Sequence, residues 1–142
     1  DARERVLENA KKFAPHGRIE GVILQPQVPG HEVIVGMKRD KTFGPAVLVG
    51  LGGIFTEIMR DTALRVAPIR AQEAQAMIGE TRAYAILSGA RGGKKADIPA
   101  LAHIISKLSY LAVEHPEIKE IDLNPVIVSE KGAIIADARF LQ

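Results

Sequence analysis

The chain contains no cysteine and no tryptophan among its 142 residues. Without cysteine there is neither a disulfide framework nor a thiolate metal site. Aromatic residues make up 4% of the sequence and the net charge is only +2. Nucleic-acid bases would find little to stack on and no strongly basic face, so a nucleic-acid partner is not expected. No apolar run approaches the roughly 18 residues that a membrane-spanning helix needs. The opening Asp1-Ala2-Arg3-Glu4-Arg5 lacks a secretory-leader pattern. A membrane location is therefore not expected, and the cytoplasm is the default compartment. Two standard phosphate cradles are also missing. A dinucleotide fingerprint begun at Gly50 needs glycine at position 55, where Phe55 stands, and a P-loop begun at Gly89 needs glycine at 94, where Lys94 stands. The four histidines are scattered, none with a second His four residues on, and no Gly-x-Ser-x-Gly elbow occurs.

What is present is an ordinary globular composition, 46% hydrophobic and 25% charged, in a chain long enough for one domain with a core. Residues 1 to 13 read as an amphipathic helix, with Val6, Ala10 and Phe13 near one face and Leu7 beside them. A strand is expected over Ile19 to Gln25, centred on Val22-Ile23-Leu24. The connector Gln25-Pro26-Gln27-Val28-Pro29-Gly30 follows, since two prolines keep it out of a helix. Further strands are expected over His31 to Met37, Ala46 to Gly50 and Asp61 to Ala67, with Lys38 to Thr42 as a charged, solvated turn. Gly50-Leu51-Gly52-Gly53 breaks the second of these, allowing positive φ or a close backbone approach to a ligand. Helices are expected over Ala71 to Ile78, Glu80 to Leu87 and Ile98 to Val113. The last has Asp97 as its cap and Leu101, Ile104, Ile105, Leu108, Leu111 and Ala112 as its buried stripe. The basic, Gly-rich run Ser88 to Lys95 reads as a hinge, or as a loop whose backbone N–H groups cradle phosphate. Segregated strands and helices imply an α+β fold: a mixed or antiparallel sheet with helices packed on one face.

The stretch richest in chemistry is the last. Glu120 to Val128 and Ala133 to Arg139 are β-branched runs around a polar turn with Gly132, a hairpin signal. Asp122 and Asn124 are two apart and share a strand face, and Asp137 on the returning strand can reach the same patch. Three oxygen-bearing side chains inside apolar strands need a compensating partner, and a magnesium ion carrying substrate phosphates would supply one. Equally, Asn124-Pro125 can end the strand and turn the chain.

Taken together, these segments resemble a known family. Gln25 through Gly36 is similar to the hinge and following strand of an ATP-grasp domain. Phe43-Gly44-Pro45, Gly52 through Glu57, Gly89-Ala90-Arg91-Gly92 and Ile121-Asp122-Leu123-Asn124-Pro125 resemble the NDP-forming acyl-CoA synthetases. That group includes the ADP-forming acetate–CoA ligases and is related to the β subunit of succinyl-CoA synthetase. The resemblance runs over nearly the whole chain; each motif alone is weak.

The resemblance implies that residues 1–142 form one partial ATP-grasp domain, its C-terminal lobe. The N-terminal lobe and the CoA-binding and phosphohistidine domains would lie elsewhere in the same protein or in a partner subunit. It implies ATP or ADP held at the adenine by Gln25, Pro26, Gln27 and Val28 and at the ribose by Glu32. Mg²⁺ would be held by Asn124 and Asp137, with Asp122 as the catalytic acid facing the phosphorylated histidine. A lobe severed from its partner is expected to be inactive alone and to expose an apolar face through which it could self-associate. An alternative is the regulatory, synthetase-like part of a protein lysine acetyltransferase. A generic carboxylate–amine ligase of the ATP-grasp type would not be expected to carry the Phe43-Gly44-Pro45 and Gly89-Ala90-Arg91-Gly92 pair.

Overall fold

Alternating apolar residues lay down a sheet in which every strand pairing among the described residues is antiparallel. The structure, a computed structural model, describes residues 1–52 and 61–142. The motif stretch from Gly53 to Glu57 therefore lies outside the described residues. In chain order the elements are α1 (Ala2–Phe13), β1 (His31–Asp40), β2 (Gly44–Leu51), β3 (Thr62–Val66), α2 (Ala71–Gly79), α3 (Ala83–Leu87), α4 (Ile98–Glu114), β4 (Glu120–Ser129), β5 (Gly132–Ile135) and β6 (Ala138–Leu141). The strand order is β3-β2-β1-β4-β5, and β6 also pairs with β4. β5 lies against Val126–Ser129 and β6 against Glu120–Leu123, so the two run end to end as one interrupted edge strand. The α+β architecture is the one the sequence implies.

The strand period of two sends Val33, Val35 and Met37 of β1, Val47 and Val49 of β2, and Ile121, Leu123, Val126 and Val128 of β4 to one buried face. Met77 and Ile78 of α2 and Leu101, Ile105 and Leu108 of α4 complete the core. Fully burying each large aliphatic side chain stabilises the fold by roughly 1.5–3 kcal/mol relative to exposure. α4 begins where expected: the Asp97 carboxylate accepts from the Ala100 N–H at 2.9 Å, and Pro99 sits in the first turn. It ends at His115, before Pro116. The other face of the sheet carries no helix from the described residues, and there Glu32, Lys38 and Asn124 are exposed and Asp122 half-buried.

Expectations for three segments are corrected. Residues 19–25 form no strand, and Val22, Ile23 and Leu24 are 40, 83 and 97% exposed. A strand exists only through ladder hydrogen bonds. Both edges of β1 are already taken by β2 and β4, and no described residue pairs with this segment. α1 forms as read, but its apolar stripe buries nothing, and Phe13 is 94% exposed. Lys38 to Thr42 is not simply a solvated turn. β1 continues to Asp40, whose carboxylate closes the turn by accepting from the Thr42 and Phe43 N–H groups at 2.7 and 2.9 Å. Half-buried Arg39 reaches across to the exit of α4. Its Nε donates to the Ile118 carbonyl, and its Nη2 donates to those of Ala112 and His115. Among the described residues, no helix is long and apolar enough to cross a membrane.

Candidate functional site on the open sheet face

Between Val33 and Val35 of β1, the facing strand β4 advances three residues, from Val126 to Leu123. One extra residue is thus accommodated at Asn124-Pro125, a β-bulge. β5 and β6 follow β4 without slipping: Ile135 faces Val126 and Ala138 faces Leu123. The extra residue is therefore shared by two adjacent strands. Asn124 N–H donates to the Asp137 carbonyl at 3.2 Å, and Ala136 N–H donates to the Pro125 carbonyl at 3.0 Å. Proline suits this position because it has no N–H to contribute to a regular ladder. The strand runs on to Ser129, so Asn124-Pro125 does not end it.

The bulge sets Asn124 directly beside Asp137. Both are exposed. Asp137 Oδ1 accepts from the Ala138 N–H at 2.9 Å, while its other oxygen and the Asn124 amide have no partner among the described residues. Asp122 lies two residues along β4 on the same face, between buried Ile121 and Leu123, with Gly36 on one side and Arg139 on the other. Glu32 occupies the same face of β1, opposite Ile127. Its carbonyl accepts from the Gly52 N–H at 2.9 Å, and a Cβ on Gly52 would stand 3.0–3.1 Å from Glu32 atoms. The close approach that a glycine permits at Gly52 is thus to neighbouring protein backbone. Gln25, Pro26 and Gln27 are exposed and Val28 half-buried in the connector that enters β1.

Asn124 and Asp137 are thus brought together, with Asp122 adjoining. Glu32 lies further along the face, and the connector precedes it. Among the described residues no three His, Cys, Asp or Glu side chains converge into a metal cluster of their own. Backbone hydrogen bonds from Phe43 and Thr42 hold the Asp40 carboxyl below its usual range. The hydrogen bond from Lys94, 2.9 Å away, and its charge do the same for Glu130. Glu117 is lowered by its own N–H and by His115. The Lys94–Glu130 pair joins the Gly-rich loop to the end of β4, as does the Asp97 N–H bond to the Ser129 carbonyl at 2.8 Å. A groove of about 530 Å³ runs under α4, between His103, Lys107 and Tyr110 on the helix and Ile135 and Phe140 on the edge strand. It lies on the helical side and holds none of the sequence-predicted site residues.

A family model described as an ATP-grasp domain matches residues 1–141. The chain belongs to the ATP-grasp domain family. It is 52% identical over 142 residues to the acetate–CoA ligase [ADP-forming] I subunit beta of Pyrococcus furiosus, covering 99% of this chain and 61% of that one. It is 47% identical over 137 residues to acetate–CoA ligase [ADP-forming] I of Archaeoglobus fulgidus, covering 96% of this chain and 20% of that one. A solved structure of dinucleotide-forming acetyl-coenzyme A synthetase 1 from Ca. Korarchaeum cryptofilum superposes with a TM-score of 0.77 at 46% identity, covering 81% of this chain and 54% of that one. That protein was bound to coenzyme A and Mg-AMPPCP, with its phosphohistidine segment pointing towards the nucleotide-binding site. The present chain thus spans about three-fifths of the Pyrococcus subunit and one-fifth of the Archaeoglobus protein.

Proposed function

We propose that the chain is the nucleotide- and magnesium-binding lobe of an ADP-forming acyl-CoA synthetase. The whole protein would convert acyl-CoA, ADP and phosphate into carboxylate, CoA and ATP by way of a phosphohistidine. The observation that carries this reading is the shared bulge, which sets Asn124 against Asp137 on an open face with Asp122 alongside. Two neutral-or-anionic oxygen donors suit magnesium, which usually takes one or two protein oxygens and completes its octahedron with water and substrate phosphates. Two protein oxygens on an open face leave room for water and the nucleotide's phosphates to complete the metal's shell.

In this reading Gln25, Pro26, Gln27 and Val28 receive the adenine and Glu32 the ribose, and Asn124 and Asp137 hold the metal at the phosphates. Bound magnesium would neutralise phosphate charge and fix phosphate geometry. Asp122 adjoins the phosphate end and is the acid that would face the phosphohistidine. The exposed Val22-Ile23-Leu24 segment and the bare stripe of α1 are the surfaces that the N-terminal lobe would cover. The CoA-binding and phosphohistidine domains would come from the remainder of the protein or from a partner subunit. The cytoplasm is the compartment expected in this reading. The two relatives are ligases, which favours a synthetase over a regulatory domain.

The test is calorimetric titration of Mg-ADP into the full-length protein, wild type beside Asp137→Ala. Magnesium-dependent binding that is lost in the variant is expected. A folded wild-type protein that binds no nucleotide would refute the reading. The 142 residues alone are expected to form no ATP from acetyl-CoA, ADP and phosphate; detectable turnover would contradict the assignment of a partial lobe.

A further inference from the structure

Beside Asp122 the open face carries a charged residue with no role assigned above. Arg139 is the cross-strand partner of Asp122, and Asp122 is flanked on its other side by Gly36, which has no side chain. Which way Arg139 points follows from its neighbour. Phe140 faces buried Ile121 and lines the groove under α4, so it lies on the helical side. Successive side chains on a strand alternate, so Arg139 lies on the open side, with Asp122. Opposite charges on directly paired residues commonly attract across a sheet. Here the Arg139 side chain is exposed and makes no ion pair or hydrogen bond among the described residues. A guanidinium held next to a row of oxygen ligands, and engaged by none of them, is available to an anion.

Its position along the strands says which part of an anion. Resting on the proposed function, the nucleotide runs from Glu32, opposite Ile127, past Asn124 and Asp137 towards Asp122. A strand rises about 3.3 Å per residue, so Arg139 stands roughly 7 Å beyond Asp137, on the side away from the ribose end. That displacement sets it beyond the residues that would hold the metal, towards the end of the phosphate chain farthest from the ribose. We propose that Arg139 is the phosphoryl-binding residue of this site: its planar fork grips the oxygens of the third, transferable phosphate, and it contributes little to the two phosphates nearer the ribose.

The experiment compares Mg-AMPPCP with Mg-ADP, by calorimetry on the full-length protein, for wild type, Arg139→Gln and Arg139→Lys. Arg139→Gln is expected to weaken Mg-AMPPCP binding tenfold or more while changing Mg-ADP binding less than threefold, and Arg139→Lys is expected to recover part of the loss. An unchanged ratio of the two affinities in Arg139→Gln would overturn the assignment, whether both ligands bind normally or both weaken together. A wild-type protein that binds neither ligand would overturn the nucleotide-site reading itself, and the role of Arg139 with it. A wild type that binds both leaves that reading standing and puts the result on Arg139 alone.

Discussion

Replacing Arg39 with methionine keeps most of the aliphatic stem but removes the guanidinium that ties β1 to the exit of α4. Three carbonyls are affected. Those of Ala112 and Ile118 are bonded in partly buried surroundings, and that of His115 is bonded at the surface, where water can replace the donor. A hydrogen bond to a charged group contributes about 1.5–3 kcal/mol net. Two such bonds from one group do not add fully, so the expected loss is about 3 kcal/mol. For a domain of this size that corresponds to a fall in Tm of about 10 °C. Urea unfolding followed by circular dichroism, with amide exchange read at Glu120–Asp122, measures both the size and the place of the effect. Arg39→Lys should recover little, because an ammonium cannot reach three divergent carbonyls as a fork does. A loss below about 0.5 kcal/mol, or full stability in Arg39→Lys, would refute the clamp; in the second case charge at the helix C-terminus, not the fork, would be the agent.

Ile105→Ala removes a fully buried side chain at the centre of the α4 stripe and should cost about 2–5 kcal/mol, seen as a lower urea midpoint with a similar slope. Asp40 gives a pH dependence of known sign. Its folded carboxyl titrates below the ordinary value of 3.8, so its contribution is present above that value and lost as pH falls through the lower folded one. Protection of the Thr42 and Phe43 amides, relative to intrinsic exchange at each pH, should fall over that acid range in wild type, and Asp40→Asn should abolish the dependence.

The long periodic elements were legible in the sequence for a physical reason. α4 repeats its apolar residues every three to four positions and carries its own start and stop signals in Asp97, Pro99, His115 and Pro116. The face shared by Asp122 and Asn124 follows from a period of two, and so it survived into the structure. The features that escaped depend on distant partners. Val22-Ile23-Leu24 has strand composition, but composition supplies no ladder. Arg39 looks like one charge in a charged turn, and its role exists only because β1 lies against a helix exit more than seventy residues later in the chain. Asn124-Pro125 could be read within a strand or as its end, and only the register between β1 and β4 reveals a bulge. Arg139 had a faint signal, its two-residue spacing from Asp137, but spacing alone could not tell which face of the edge strand it occupied.

Sharing the bulge between β4 and the edge strand constrains how this sheet can change. A single deletion at Asn124-Pro125 would restore a flat ladder between β4 and β1. It would also throw β5 and β6 one step out of phase with each other, since they follow β4 on either side of the lost residue. Half the edge strand would then swap its two faces, taking either Ile135 or Phe140 away from the groove under α4. Only a matched deletion at Ala136-Asp137 would put them back, and it would remove the side-by-side oxygens in the same stroke. Length at this spot is therefore tied in pairs: keeping both extra residues or losing both keeps the three strands in phase, and losing one does not.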